Sequence, residues 1–200
     1  MTAPTHAPDV LNVYAAEPLA TGGLYVSPLG TPKPSSITTA LDDPWIGLGH
    51  VGEDGVTETQ DRTIDKKKNW GGATVKILQT DYVHTFKFVL LESLNAEVLK
   101  VVYGENNVTI TAATSGHGNQ IEVTKNPRKL PKLTWCVDST DSELDAFYRN
   151  YVPIGQVMTV ADVKIVHTDT IEYSLEMEAF PDASGQHVYL LTDDGQATGP

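Results

Sequence analysis

Trp45-Ile-Gly-Leu-Gly-His-Val-Gly-Glu-Asp-Gly-Val56 and the polar segment that follows it to Trp70-Gly71-Gly72 decide how this chain is read. A short apolar run meets Glu53-Asp54-Gly55, and an Asp-Gly pair favours a turn. Thr57, Thr59 and Thr63 favour strand. Lys66, Lys67 and Lys68 then lead back to a tryptophan and two glycines. The outline is a long β-hairpin arm over residues 54–71 rather than a catalytic loop. Three adjacent lysines read most simply as a solvated tip. Gly47, Gly49 and Gly52 match a G-x-G-x-x-G spacing. That fingerprint requires a helix after it, and here a polar hairpin follows, so a dinucleotide site is discounted.

The rest of the chain reads mostly as strand. Residues 1–20 contain Pro4, Pro8 and Pro18 and predict an extended arm, free or lying on a neighbouring subunit. Residues 22–27 form a short strand, and 30–44 a loop with Pro32, Pro34 and Pro44. Residues 73–78 and 84–91 alternate as half-buried strands around a Thr80-Asp81 turn, with Phe86, Phe88 and Leu90 on one face. One helix is predicted, with Ser93 at its start, Glu97 early, Lys100 late and Gly104 just past its end. Leu94, Val98, Val101 and Val102 form its apolar stripe.

Strands follow at 107–111, 120–125 and 133–138. Residues 140–152 carry two signals. Thr140-Asp-Ser-Glu143 is a capping-box pattern, with Leu144, Phe147, Tyr148 and Tyr151 at helical spacing. Phe147 to Val152 is also aromatic-rich and ends at Pro153, which suits a strand. Further strands are read at 157–161, 163–167, 170–179 and 188–191. In the third, Tyr173, Leu175, Met177 and Ala179 share one face with Ile171. Glu172, Ser174, Glu176 and Glu178 share the other. The prediction is one mainly β, antiparallel domain over residues 21–191, with one flanking α-helix, the hairpin arm and a polar tail at 192–200.

Composition narrows function. Fourteen basic and 26 acidic residues among 200 give a net charge of −12. Tight nucleic-acid binding is disfavoured, because that affinity comes from Lys and Arg on phosphates. A surface that must not hold DNA should be acidic. The single cysteine, Cys136, excludes an internal disulfide, and among Leu133, Trp135 and Val137 it reads as a buried inert thiol. The start lacks a secretory pattern, and no apolar run approaches the ~20 residues of a membrane span. A soluble protein away from membranes is expected.

The search for chemistry finds little. His6, His50, His84, His117, His167 and His187 are scattered without metal-ligand spacing. Neither a G-x-x-x-x-G-K-[ST] phosphate loop nor a G-x-S-x-G elbow is present. No catalytic residue, metal or cofactor is expected. Asn107-Val-Thr109 is a glycosylation sequon in letters only. Glu172, Glu176 and Glu178 admit three readings: a glycosidase acid–base pair, solvated charge on a wet strand face, or the lining of a channel past which polyanions slide.

The order of segments resembles the major tail tube proteins of long-tailed bacteriophages, especially those infecting actinobacteria. The matching pieces are Gly23-Leu-Tyr-Val-Ser-Pro-Leu-Gly30, Ala40-Leu-Asp-Asp-Pro-Trp45, the stretch 47–56 and Asn69-Trp-Gly-Gly72. Thr85 to Glu92, Val102-Tyr-Gly104, Tyr151-Val-Pro-Ile-Gly155 and Phe180-Pro-Asp182 continue the match. The resemblance implies a β-sandwich or half-barrel, a strand rather than a helix at 147–152, and hexameric rings stacked into a tube that delivers DNA. It implies self-association, with tail terminator, tape measure and distal tail or baseplate proteins as partners. The virion tail is the implied location, reached from the host cytoplasm during assembly. The arm would join subunits, with Asp54, Lys66, Lys67, Lys68 and Trp70 as contacts. Glu172, Glu176 and Glu178 would face the lumen. Many relatives add an immunoglobulin-like domain, which is not expected before Pro200. Two rivals remain: the tube of a contractile injection or secretion machine, and a carbohydrate-binding β-sandwich.

Overall fold

In a computed structural model the chain is described over residues 9–19 and 22–196. Ten strands and one helix follow in order: β1 Leu24–Ser27, β2 Ile46–Gly47, β3 Val51–Lys68, β4 Thr74–Leu90, α1 Ala96–Tyr103, β5 Val108–Thr111, β6 Gln120–Val123, β7 Lys132–Asp141, β8 Ala146–Val160, β9 Tyr173–Phe180 and β10 Tyr189–Asp193. Eight strands form one antiparallel sheet in the order β2-β1-β7-β8-β9-β4-β3, with β10 added to β8. The first half of β8 pairs with β10 and the second half with β9. β5 and β6 make a separate hairpin.

The sheet curls until distant strands touch. Trp135 on β7 meets Phe88 on β4 with ring centroids 5.9 Å apart, although β8 and β9 lie between them in the sheet. Between the curled halves sit Leu24, Leu48, Phe86, Leu90, Trp135, Val152, Leu175 and Met177, all essentially fully buried. The alternation read from β9 holds: Tyr173, Leu175, Met177 and Ala179 point inward. α1 closes one end with Val98, Leu99, Val101 and Val102. This is a mainly β sandwich with one flanking helix. A second, smaller cluster of Tyr25, Cys136 and Tyr151 lies on the opposite face of β1, β7 and β8.

A buried ion pair fixes the loop over that second face. Arg149 donates to both carboxylate oxygens of Asp138, at 2.8 and 2.6 Å, and both side chains are almost fully buried. Nη1 donates to the carbonyl of Ser36, and Nη2, besides its bond to Asp138, donates to the carbonyl of Thr39. Burial opposes the guanidinium charge, but the Asp138 hydrogen bonds and charge outweigh it and raise the Arg149 pKa. Burial likewise pushes the Cys136 thiol up, so the neutral thiol persists.

Several boundaries differ from those read in the sequence. Asp54-Gly55 is no hairpin turn. It lies in a bulge of β3, where residues 52–55 face Val89 alone and Gly55 takes φ +63°. Thr80-Asp81 is also a bulge, inside a continuous β4. A local turn signal loses here because both neighbours are already held in a long antiparallel pair. The helix cap is Asn95 rather than Ser93: its side chain accepts from Glu97 N, and Leu94 stays outside the helix, 88% exposed.

The region 140–152 is a hairpin. Asp141 accepts from Glu143 and Leu144 N in its tight turn, and Ala146 begins β8. Pro153 does not end that strand. Its missing N–H falls at the bulge between Leu133 and Trp135 on the paired strand. Residues 163–167 lie in the connection to β9 rather than in a strand, and β10 extends to Asp193.

Candidate assembly interface

β3 and β4 pair over their whole length, but β9 accompanies β4 only from His84 to Leu90. Residues 61–83 therefore form a two-stranded ribbon beyond the body, about 30 Å long at ~3.3 Å per residue. The arm thus starts later and ends later than residues 54–71. Asn69 N donates to Ala73 O at 2.9 Å and Gly72 N to Asn69 O at 3.0 Å. This leaves Trp70-Gly71-Gly72 as a three-residue loop with Gly72 at φ +83°, the left-handed position such loops require. The sequence alone puts Trp70-Gly71-Gly72 at the far boundary of the arm rather than at its tip.

The candidate contacts fall at different places on this ribbon. Asp54 is exposed at the root, in the β3 bulge. Trp70 stands fully in solvent at the tip. Strand alternation separates the lysines. Lys66 and Lys68 share a face with Ile64 and Ile77, whereas Lys67 lies opposite and reaches Asp65 at 2.6 Å. Ile64, Val75 and Ile77 are each half or more exposed. One ribbon face therefore combines branched apolar side chains with two free-standing lysines.

The root of the arm is pinned. Glu58 on β3 contacts His84 Nε2 at 2.7 Å through one oxygen and accepts from Asn150 of β8 at 3.3 Å through the other. His84 is buried and stacks on Phe86 with centroids 5.2 Å apart. These contacts tie the arm's base to both halves of the curled sheet.

Glu176 and Glu178 point outward from β9, while Glu172 lies exposed in the connection before it, off the strand. Two cross-strand rows meet there. Gln156, Glu178, Thr85 and Thr59 form one; Thr159, Glu176, Lys87 and Thr57 form the next. Lys87 approaches Glu176 at 3.5 Å. The face is polar, and in these rows no side chain is larger than lysine, glutamate or glutamine.

Part of the predicted N-terminal arm is fastened to its own subunit. Residues 14–17 dock on their own subunit. Tyr14 donates to Ser139, Ala15 N to Asp141, and Glu17 forms a β-bridge with Thr140. Residues 1–8 and 20 of that arm, residue 21, and residues 197–200 of the predicted tail lie outside the described residues. The glycines of the discounted nucleotide motif have another use. A Cβ on Gly49 would overlap the Glu92 carboxylate, which accepts from His50 N and Asn95 Nδ2. The Asn95 hydrogen bond, then that of His50, lowers the Glu92 pKa.

Among the described residues, no cluster of three or more His, Cys, Asp or Glu is placed to hold a metal, and no helix is long and apolar enough to cross a membrane. What the geometry offers is contact surface: a protruding ribbon and a long edge strand. The family model described as phage tail tube protein matches residues 16–199. The chain belongs to the phage tail tube protein family, a structural component of the virion tail. A search of curated proteins finds no match.

Proposed function

We propose that this chain polymerises into the tail tube as stacked hexameric rings enclosing the channel for DNA delivery. The observation that carries this reading is the ribbon over residues 61–83, which buries almost nothing within its own subunit, in a chain of the tail tube family. A free ribbon with exposed Ile64, Val75, Ile77 and Trp70 is costly to keep in water unless it is covered in the assembly. β3 is moreover an 18-residue edge strand, and ring closure is a general way to remove such edges. Pairing to neighbouring subunits covers both features.

In this reading the polar rows of β8, β9, β4 and β3 line the lumen. Glu176 and Glu178 keep phosphate from adhering, with Glu172 at the rim. Threonine and glutamine offer hydrogen bonds without charge attraction. The partners are other copies of the chain, then the tail terminator, tape measure and distal tail proteins. Electron microscopy of the assembled protein tests it: tubes with regular axial striations are expected. Protein that stays monomeric in the presence of the tail initiator complex, with tails forming in its absence, overturns the reading.

A further inference from the structure

The polar rows that cross β9 hold as many cations as acids. Lys132 of β7 pairs with Gln156 of β8, and Gln156 with Glu178 of β9. Residues paired across strands share a face, so Lys132 extends the row of Gln156, Glu178, Thr85 and Thr59. Lys87 stands in the neighbouring row beside Glu176. Two lysines thus accompany two glutamates over these rows, and their formal charges cancel. Within a chain of net −12 these rows hold no acidic surplus. Two lysines left bare here would hold DNA, because each lysine that neutralises a phosphate releases a counterion and adds affinity.

Neither lysine is bare. Lys87 Nζ lies 3.5 Å from Glu176 Oε2, with the two side chains 58% and 34% exposed. Lys132 Nζ lies 4.2 Å from the centre of the Phe180 ring. Phe180 follows Glu178 by two residues on β9 and shares its outward face. One strand therefore supplies a partner to the cation on either side of it, Lys87 on β4 and Lys132 beyond β8. Glu178 stands between these two partners and makes no ion pair among the described residues.

We propose that this face lets DNA pass by masking its cations rather than by excess negative charge. Glu176 neutralises Lys87, the Phe180 ring holds the Lys132 ammonium, and Glu178 alone is left to repel phosphate. This rests on the lumen reading and divides the labour within it. The two glutamates are then not equivalent. Loss of Glu176 leaves one uncompensated cation in each subunit, repeated in every ring of the stack. Loss of Glu178 uncovers no cation. The Lys87–Glu176 pair is exposed and contributes little to folding, so its effect is on the charge that DNA meets.

Virions assembled with substituted chains test this through the rate of triggered DNA release at low and high salt. Glu176→Gln should slow release at least ~10-fold at low salt, and the defect should shrink near ~0.5 M salt, where lysine–phosphate contacts weaken. Glu178→Gln should slow it less than ~2-fold, because no cation is uncovered. Adding Lys87→Gln to Glu176→Gln should restore the wild-type rate, which a merely structural role of Glu176 would not permit. Equal slowing by the two glutamate variants, or no rescue by Lys87→Gln, overturns the masking. Thr85→Lys adds an unpaired cation to the same face and separates the two readings. Slow release from Thr85→Lys with normal release from Glu176→Gln sinks this inference alone and leaves the lumen reading standing. Normal release from both removes the lumen reading, and the masking with it. A second measurement needs no virions: titration of the purified chain with polyphosphate should shift the Lys87 side-chain resonance in Glu176→Gln and not in the wild type. Equal shifts in the two chains overturn the masking as well.

Discussion

The body around Trp135 and the ribbon around Trp70 use the same residue type to opposite ends. Trp135 is fully buried, packs on Phe88 and donates from its indole nitrogen to Gly155 O at 3.3 Å. Trp70 touches nothing of its own chain, at the apex of a ribbon with two wet faces. The body's side chains are ordered by contacts within the subunit. The ribbon's backbone is ordered by its own ladder, while its side chains make a few local contacts, such as Lys67 with Asp65 and Arg62 over the Tyr82 ring, and pack into no core. A two-stranded hairpin alone is marginal in water. Here the root supplies the missing support through Glu58, His84 and Asn150. The arm is therefore held ready without being packed, which suits a contact completed only by another subunit.

Substitutions should separate the two regions by size of effect. Trp135→Ala removes the largest core side chain and should cost about 3–5 kcal/mol of stability, read by chemical denaturation. Asp138→Ala leaves the Arg149 guanidinium buried without its carboxylate and should cost about 3–5 kcal/mol. It should also free the loop carrying Ser36 and Thr39, seen as faster backbone hydrogen exchange there. A loss below about 1 kcal/mol in either variant would break the contrast, because the body would then not be held by these contacts.

A smaller effect is expected at the seam between body and chain end. Asp141 accepts from Ala15 N, which is the largest cause of its lowered pKa; the Glu143 and Leu144 backbone hydrogen bonds add to it. A carboxylate with a depressed folded pKa contributes stability that is fully present above the unfolded value, about 3.9, and is lost as pH falls through the folded one. Residues 14–17 should therefore detach only in acid, below about pH 4, while the core persists. Fluorescence of a probe near Tyr14 should follow that titration, and in Asp141→Asn it should not. Detachment at neutral pH would show that these residues are not fastened to their own subunit.

The sequence carried the body more legibly than the arm. Alternation in β9, the buried positions of β4 and the apolar stripe of α1 are all set by burial, which leaves a period in the letters. The arm buries too little to leave one. Its limits therefore had to be read from turn chemistry, and Asp54-Gly55 and Thr80-Asp81 misled because bulges and turns share the same residues. The true loop, Trp70-Gly71-Gly72, was visible as glycine at the left-handed position but was read as the far boundary of the arm. The groove between α1 and the β5–β6 hairpin, lined by Leu99, Tyr103, Ile121 and Tyr173, was hidden for a different reason. It depends on β6 and on Tyr173, which the chain brings to the helix only by folding.

The smallest expected effect on the monomer is also the one that most sharpens the comparison. Lys66→Glu, Lys67→Glu and Lys68→Glu together reverse the arm's charge without touching the core. All three side chains are exposed, and the lone pairing among them is Lys67 with Asp65, 59% and 46% exposed. Exposed ion pairs contribute little, and surface changes away from packed features stay within about ±0.5 kcal/mol. The denaturation midpoint should thus hold while striated tubes disappear. The two faces of the ribbon divide the cause further. Lys66→Glu with Lys68→Glu alters the face that also carries Ile64 and Ile77, and should account for most of the assembly defect. Lys67→Glu alters the opposite face, where Lys76 remains, and should leave tubes largely intact. Normal tubes from the triple variant would make the lysines a solvated tip and nothing more. A large loss of monomer stability would mean instead that the arm is packed on its own body, and the contrast between the two tryptophans would fail.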